Sequence, residues 1–376
     1  MRHSIFTKKK VALVYDRVNK WGGAERVLLT LHEMFPQAPL YTSVYNPKKA
    51  PWAKVFPKVH SSFLQKVPLL NKYHELLGWL TPLAFERFNF DEYDLVITVT
   101  SEAAKNIKTN NKTKHICYCL TPTRYLWSGY EFYLTNPPKI FKIFPFYKLV
   151  SKPFLWFAKK MDLKGASRPD VFIAISSEVK RRIKKYYKKE SEIIFPPVSF
   201  LRKNKVLNKN REHFLIHGRF EPYKRLDLVI DTFNELNLPL IVSGGGSEFD
   251  VQRKRAKNNI KFVKSPNDIE LSLIYSKSKA LIMPQEEDFG IVSIEAQSYG
   301  VPVIAYAKGG ALDTVIDGRT GVLFKHQSKK SLMRAVEKFD RITFRSELLT
   351  KNVQKFSKEV FKNRFGRLVR KELGEF

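Results

Sequence analysis

Glu287 and Glu295, with seven residues between them, lie in PQEEDFGIVSIEAQSYGVPVIAY, residues 284–306. A carboxylate at Glu295, two turns into an apolar run, needs hydroxyl or amide partners to be tolerated there. The hydroxyls of a sugar and of a ribose would serve. Between the two glutamates, Asp288, Phe289, Gly290 and Ile291 form a loop into a helix N-terminus. Such a loop leaves backbone N–H groups unpaired and suits phosphate. Further upstream, Arg219 and Lys224 follow the apolar run FLIHG. Two cations there can hold a diphosphate and neutralise the charge that develops as it leaves. Taken alone, each feature also fits a plainer role, a solvated basic turn at 219–225 and a solvated acidic turn at 286–288.

The elements that must carry these residues are legible. Apolar residues 280–283 predict a strand, Gly290 opens a helix that ends near Tyr299-Gly300, and 303–306 is the next buried strand. Strand, loop, helix and strand form the βαβ unit of a parallel sheet, whose loops are where such sheets bind ligands. Around it the pattern predicts strands at 214–217, 239–243, 260–263 and 321–324, and a helix over 226–236. Gly244-Gly245-Gly246 serves either a turn or a close ligand approach. It is no G-x-G-x-x-G fingerprint, so a nicotinamide cofactor is disfavoured. The first half repeats the alternation, with strands at 11–15, 94–98, 115–119, 171–175 and 193–195. Gly22-Gly23 precedes a helix from Ala24, Ser101 is a candidate helix cap, and Ser176 or Ser177 caps the basic helix 178–189. Residues 201–212 are polar and place a domain boundary near 198–210. Phe356, Val360, Phe361, Phe365 and Leu368 recur at helical spacing at the end.

A chain of 376 residues can hold two domains, each with its own core. Its 67 Lys+Arg against 36 Asp+Glu give +31, which argues for polyanionic surroundings: nucleic acid, anionic lipid or phosphorylated substrates. No nucleic-acid reader module accompanies the charge, so nucleic acid is not an expected partner. The segment 139–165 interleaves lysines with Phe, Trp, Tyr and Ile, and fits either an ordinary amphipathic stretch or an element lying on an anionic membrane. Lys8–Lys10 lead directly into a strand, unlike a signal peptide, and no apolar run approaches the ~20 residues of a membrane span. Cys117 and Cys119, the two cysteines, sit on one face of a strand, where neighbours rarely bridge. A reduced, cytoplasmic protein is expected, peripheral on the inner face of the membrane if it meets one.

Residues 280–324 resemble the retaining GT-B glycosyltransferases of the GT4 type, whose E-x7-E signature Glu287 and Glu295 reproduce. The resemblance includes GGAER at 22–26 and covers nearly the full length. It implies an α/β, GT-B fold of two Rossmann-like domains facing a cleft. Residues 1–198 would be the acceptor side, joined by a returning helix 357–376, and 199–356 the nucleotide-sugar donor side. It also implies roles. Glu287 contacts the donor sugar, Glu295 the ribose, and the amides of Asp288, Phe289, Gly290 and Ile291 the sugar and phosphate. Arg219 and Lys224 hold the diphosphate, and the strand end at Val263 holds the base. Gly22, Gly23, Thr121 and Arg124 belong to the acceptor side, while Tyr125 and Trp127 fit an acceptor role or a core role equally.

The implied activity is transfer of a hexose, by resemblance mannose from GDP-mannose, to a hydroxyl of a glycan or lipid-linked acceptor, with Glu287, Arg219 and Lys224 catalytic. No metal and no cofactor beyond the nucleotide-sugar co-substrate are implied. One departure stands out. Where mannosyltransferase-like members read C-H-T-P-x-R-Y, this chain has Leu120 in place of the histidine. That leaves open a catalytically inactive GT-B scaffold or sugar-nucleotide-binding protein, against which the intact Arg219, Lys224, Glu287 and Glu295 argue.

Overall fold

The computed structural model describes residues 9–67, 78–135, 147–198 and 211–374. Much of the predicted boundary segment and residues 139–146 of the aromatic basic segment lie outside them. The chain divides into two compact units, one of Met1–Pro196 with Phe361–Phe376 and one of Pro197–Val360. Each is built on a wholly parallel sheet.

In the first unit, β1 (Val11–Tyr15), β2 (Leu40–Thr42), β3 (Val59–Ser61), β4 (Leu95–Thr100), β5 (Lys114–Cys119), β6 (Val171–Ala174) and β7 (Glu192–Ile193) pair in the order β3-β2-β1-β4-β5-β6-β7. Their near-continuous apolar runs are what a sheet covered on both faces requires. Leu13 pairs with Ile97, and Ile97 with Ile116, all fully buried. The helix Lys358–Leu373 lays Phe361 and Phe365 against Tyr118, with ring centroids 5.8 and 6.3 Å apart. Tyr118 in turn donates its hydroxyl to the Ile194 carbonyl at 2.9 Å.

The second unit pairs β8 (His213–Arg219), β9 (Leu240–Gly245), β10 (Ile260–Lys264), β11 (Ser278–Met283), β12 (Val303–Tyr306) and β13 (Gly321–Phe324) in the order β10-β9-β8-β11-β12-β13. This is the doubly wound order whose direction of growth reverses between β8 and β11. The helices Leu226–Leu236 and Lys329–Asp340 cover one face through Phe233, Leu332 and Phe339.

Three expectations are corrected. Ser101 does not cap a helix: the segment is a short 3-10 turn, Ala104–Asn106, and Asp16 supplies the acceptor. The Asp16 carboxylate takes the backbone N–H groups of Ser101, Glu102, Ala103 and Ala104 at 2.8–3.1 Å, an ionised acceptor with more lone pairs than a serine hydroxyl. The basic helix is α-helical only over Ser177–Arg182, capped by Ser176. It continues as a π-turn, Ile183–Tyr187, and ends at Lys188 in the left-handed region, φ 55°. That turn buries Ile183 and Tyr187 while stacking Tyr186 on Trp127 at 5.2 Å. The strand expected at 193–195 is Glu192–Ile193, with pairing carried one residue further by the Ile194 N–H. Pro196 and Pro197 have no N–H to extend it.

His115 is fully buried on β5, its Nε2 3.0 Å from the Thr98 hydroxyl and its Nδ1 without a hydrogen-bond partner. Burial, and secondarily the charge of Arg168, push its pKa down to about 3. The native state therefore holds it neutral, while the unfolded chain protonates it below its ordinary value near 6.5. Stability is lost as pH falls from there toward 3, by about 1.4 kcal/mol per pH unit. Urea unfolding at pH 7.5 and 5.5 should show a loss that shrinks by roughly that amount in His115→Gln, which cannot titrate.

Candidate functional site

The loops after β8 and β11 meet at the reversal point of the second sheet. β8 ends in Arg219, and a 3-10 turn, Pro222–Lys224, carries Lys224 back toward the sheet. β11 ends at Met283, and Gln285, Glu286 and Glu287 follow. Lys224 donates to Glu287 Oε1, and both side chains are largely buried, 18% and 15% exposed. Gln285 Nε2 donates to the same oxygen at 2.8 Å and fixes the carboxylate from behind. Arg219 stands further out, 69% exposed and 3.9 Å from Glu221.

The 287–291 loop is held by its backbone and by one aromatic anchor. Glu287 O accepts from Gly310 N at 2.8 Å, and Phe289 turns inward onto Phe356 at 5.5 Å. Side chains are excluded where the two loops touch: a Cβ on Gly310 would lie 2.3 Å from Phe289 Cα. Gly290 adopts φ 86° and leads into the helix Ile291–Ser298 without a side-chain cap. Phe289 thus serves as an anchor, and only its backbone can face a ligand. Glu295 lies inside that helix, 5% exposed. Its charge reaches His217 on β8, whose pKa burial nevertheless holds below the usual value.

The glycine triplet resolves in favour of close packing. Gly244 pairs with Gly218 across β8 and β9, and a Cβ there would sit 1.9 Å from the Gly218 carbonyl oxygen. The strand end that presents Arg219 depends on this contact. Val263 is on β10, the edge strand, so one side of its backbone is unpaired within the sheet.

On the first unit, Gly22 has an extended backbone, φ −178°, and Gly23 begins the helix Gly23–Met34 with no side-chain cap. Neither needs a left-handed conformation; the glycines leave the helix N-terminus uncovered. Thr121 lies just after β5. It is 5% exposed, and its hydroxyl accepts from Arg182 at 3.3 Å within the packing of the basic helix. Arg124 is half-buried in the loop after β5, its carbonyl accepting from Gly129 N at 2.8 Å. Trp127 is half-buried and donates its Nε1 to Asp162 at 2.7 Å. Leu120 is half-buried, with its N–H on the Thr100 carbonyl.

Sequence reading missed the polar cluster at the reversal point of this sheet, between β1 and β4. Asp16, Arg17, Glu102, Lys105 and Asp162 converge there. Arg17 pairs with Glu102, and Lys105 Nζ lies 2.6 Å from Asp162 Oδ1. Asp16 follows the apolar run of β1 directly, a position that flags a strand-end residue.

With both sheets and these contacts described, comparison with known proteins is informative. Residues 198–356 match the family described as "Glycosyl transferases group 1". The group 1 glycosyl transferase match thus contains Arg219, Lys224, Glu287 and Glu295. The chain is also similar to the glycogen synthase of Thermus thermophilus, 33% identical over 134 residues, 33% of this chain and 31% of that protein. The chain spans about a third of the length of the first curated relatives it matches. Over its whole length it is similar in structure to the sucrose-phosphate synthase of Thermosynechococcus elongatus, with TM-score 0.69, 18% identity, and 98% and 100% of the two chains covered. It is also similar to the Anabaena protein HepE in complex with UDP, with TM-score 0.67, 17% identity, and 96% and 100% covered. The fold is GT-B, α/β, with the C-terminal helix returning to the first unit.

Proposed function

We propose that this chain transfers a hexose from a nucleoside-diphosphate sugar to a hydroxyl, with retention at the anomeric carbon. The observation that carries the reading is the contact of Lys224 with Glu287 at the reversal point of the second sheet, inside the group 1 glycosyl transferase match. In this reading Lys224 and Arg219 take the diphosphate oxygens and the charge that grows as they leave. Glu287 orients the sugar hydroxyls, Glu295 holds the ribose, the amides of Asp288–Ile291 serve sugar and phosphate, and the edge strand at Val263 holds the base. Catalysis is by positioning and by charge stabilisation. The departing phosphate assists displacement on the same face. Before the donor arrives, Lys224 and Glu287 neutralise one another.

GDP-mannose is the proposed donor, on the likeness of residues 280–324 to mannosyltransferases of polysaccharide and O-antigen assembly. The UDP bound by the Anabaena neighbour makes UDP-sugars the arm to test it against. The proposed acceptor is a glycan or a lipid-linked sugar at the cytoplasmic membrane face, met through the first unit around Gly22, Gly23, Thr121 and Arg124. The nucleotide sugar is a co-substrate, and no other cofactor is proposed.

Thermal-shift measurements with GDP, UDP, GDP-mannose and UDP-glucose test the donor site. The guanine nucleotides should stabilise the protein, by about 2.7 kcal/mol at a hundredfold excess over Kd. Glu295→Ala should lose that stabilisation. Selective stabilisation by UDP would overturn the guanine assignment alone. No stabilisation by any of the four would overturn the donor site and favour the inactive-scaffold reading that Leu120 leaves open.

A further inference from the structure

The helix Tyr147–Ala166 of the first unit buries one side and leaves an unusual face outside. Ala158, Met161, Asp162, Gly165 and Ala166 point inward. Lys152, Trp156, Lys160, Leu163 and Lys164, spaced at successive helical turns, are all exposed. Trp156 is 65% exposed and Leu163 44%. An indole held that far out of the core, between lysines, is not accounted for by packing. Lys160 Nζ lies 5.5 Å over the Trp156 ring, and Lys164 is shared with Glu86 at 3.6 Å. Phe154, on the other side of the helix, packs against Trp79 at 5.8 Å.

We propose that this face docks on an anionic lipid surface, the helix lying parallel to the membrane plane. Trp156 and Leu163 enter the boundary between head groups and acyl chains, and Lys152 and Lys160 meet lipid phosphates. Two observations select this occupant. The stripe alternates cations with apolar groups on one face, the pattern of an interfacial helix. The charge complements it, since the chain carries +31 overall. A nucleic-acid strand would use the lysines and the indole but gives no use to exposed Leu163. The proposal deepens the glycosyl-transfer reading by placing the acceptor on a lipid surface. Its test uses neither donor nor acceptor, so the two readings stand or fall separately.

The test is co-sedimentation of the full chain with vesicles of phosphatidylcholine alone, or of equal parts phosphatidylcholine and phosphatidylglycerol. Binding should favour the anionic vesicles and weaken with salt. Lys152→Ala/Lys160→Ala should weaken it by roughly 25-fold, about fivefold per lysine. Trp156→Ala/Leu163→Ala should weaken it about tenfold. Lys325→Ala/Lys330→Ala removes the same charge from the surface of the second unit and should change binding less than about twofold. Equal loss in that control pair would show net charge alone at work and overturn the docking face. So would unchanged binding in the Trp156/Leu163 variant, or no binding to anionic vesicles. Retention of a polyuridine RNA, lost in the helix variants while vesicles are ignored, would replace the lipid surface by a nucleic acid.

Discussion

Lys224→Ala should lower kcat/KM for sugar transfer by about 10²–10³-fold, the usual loss when one preorganised charge is taken from a developing oxyanion. In the proposed reaction Lys224 meets the leaving diphosphate; its ammonium lies on Glu287 and its side chain is largely out of solvent. Few waters remain there to substitute for it. Lys224→Arg keeps the charge but spreads it over a planar fork, and should recover only part of the rate. The measurement is initial rate against donor concentration, with nucleoside-diphosphate binding followed in parallel. Because Lys224 and Glu287 are partners in one contact, the double alanine variant should cost less than the sum of the two single ones. Transfer retained within twofold in Lys224→Ala would remove this residue from the diphosphate site.

The largest stability effect is predicted elsewhere, at Lys105. Its side chain is 1% exposed, and its ammonium lies 2.6 Å from Asp162, which also accepts from Thr123 and from the Trp127 indole at 2.7 Å each. Burial alone would lower the lysine pKa, yet the neighbouring Asp162 charge and hydrogen bond outweigh it and hold the pKa above the usual value. Lys105→Ala leaves that carboxylate buried without its cation, a loss of about 3–5 kcal/mol. For a unit of this size the melting temperature should fall on the order of 10 °C. Asp162→Asn in the same chain should restore part of the loss, because a neutral amide needs no counter-charge. A melting temperature within about 2 °C of the parent would mean that water reaches Asp162 in place of the lysine.

Much of this architecture was readable beforehand because it rests on local pattern. The apolar runs of β1, β12 and β13 and the amphipathic helix Leu226–Leu236 fall at their predicted bounds. Period and apolarity depend only on near neighbours in the chain, so each of these segments carries its own signal. The 287–291 loop was legible for the same reason: Glu287, Gly290 and Glu295 follow an apolar strand and open a helix within one short stretch.

Contacts between residues far apart in the chain were not legible. Nothing near Ser101 announces that Asp16, 85 positions earlier, takes its N–H. Nothing near Thr121 announces that Arg182, 61 positions later, donates to its hydroxyl. Lys105 and Asp162 each look like surface charges, and they become a buried pair only when the 3-10 turn Ala104–Asn106 and the helix Tyr147–Ala166 pack together. The sequence by itself determined the elements, the parallel α/β class and the residue types at the strand ends. Tertiary structure alone decided which charges meet, which are buried and which face outward, because electrostatic and packing energies depend on separation in space and not along the chain.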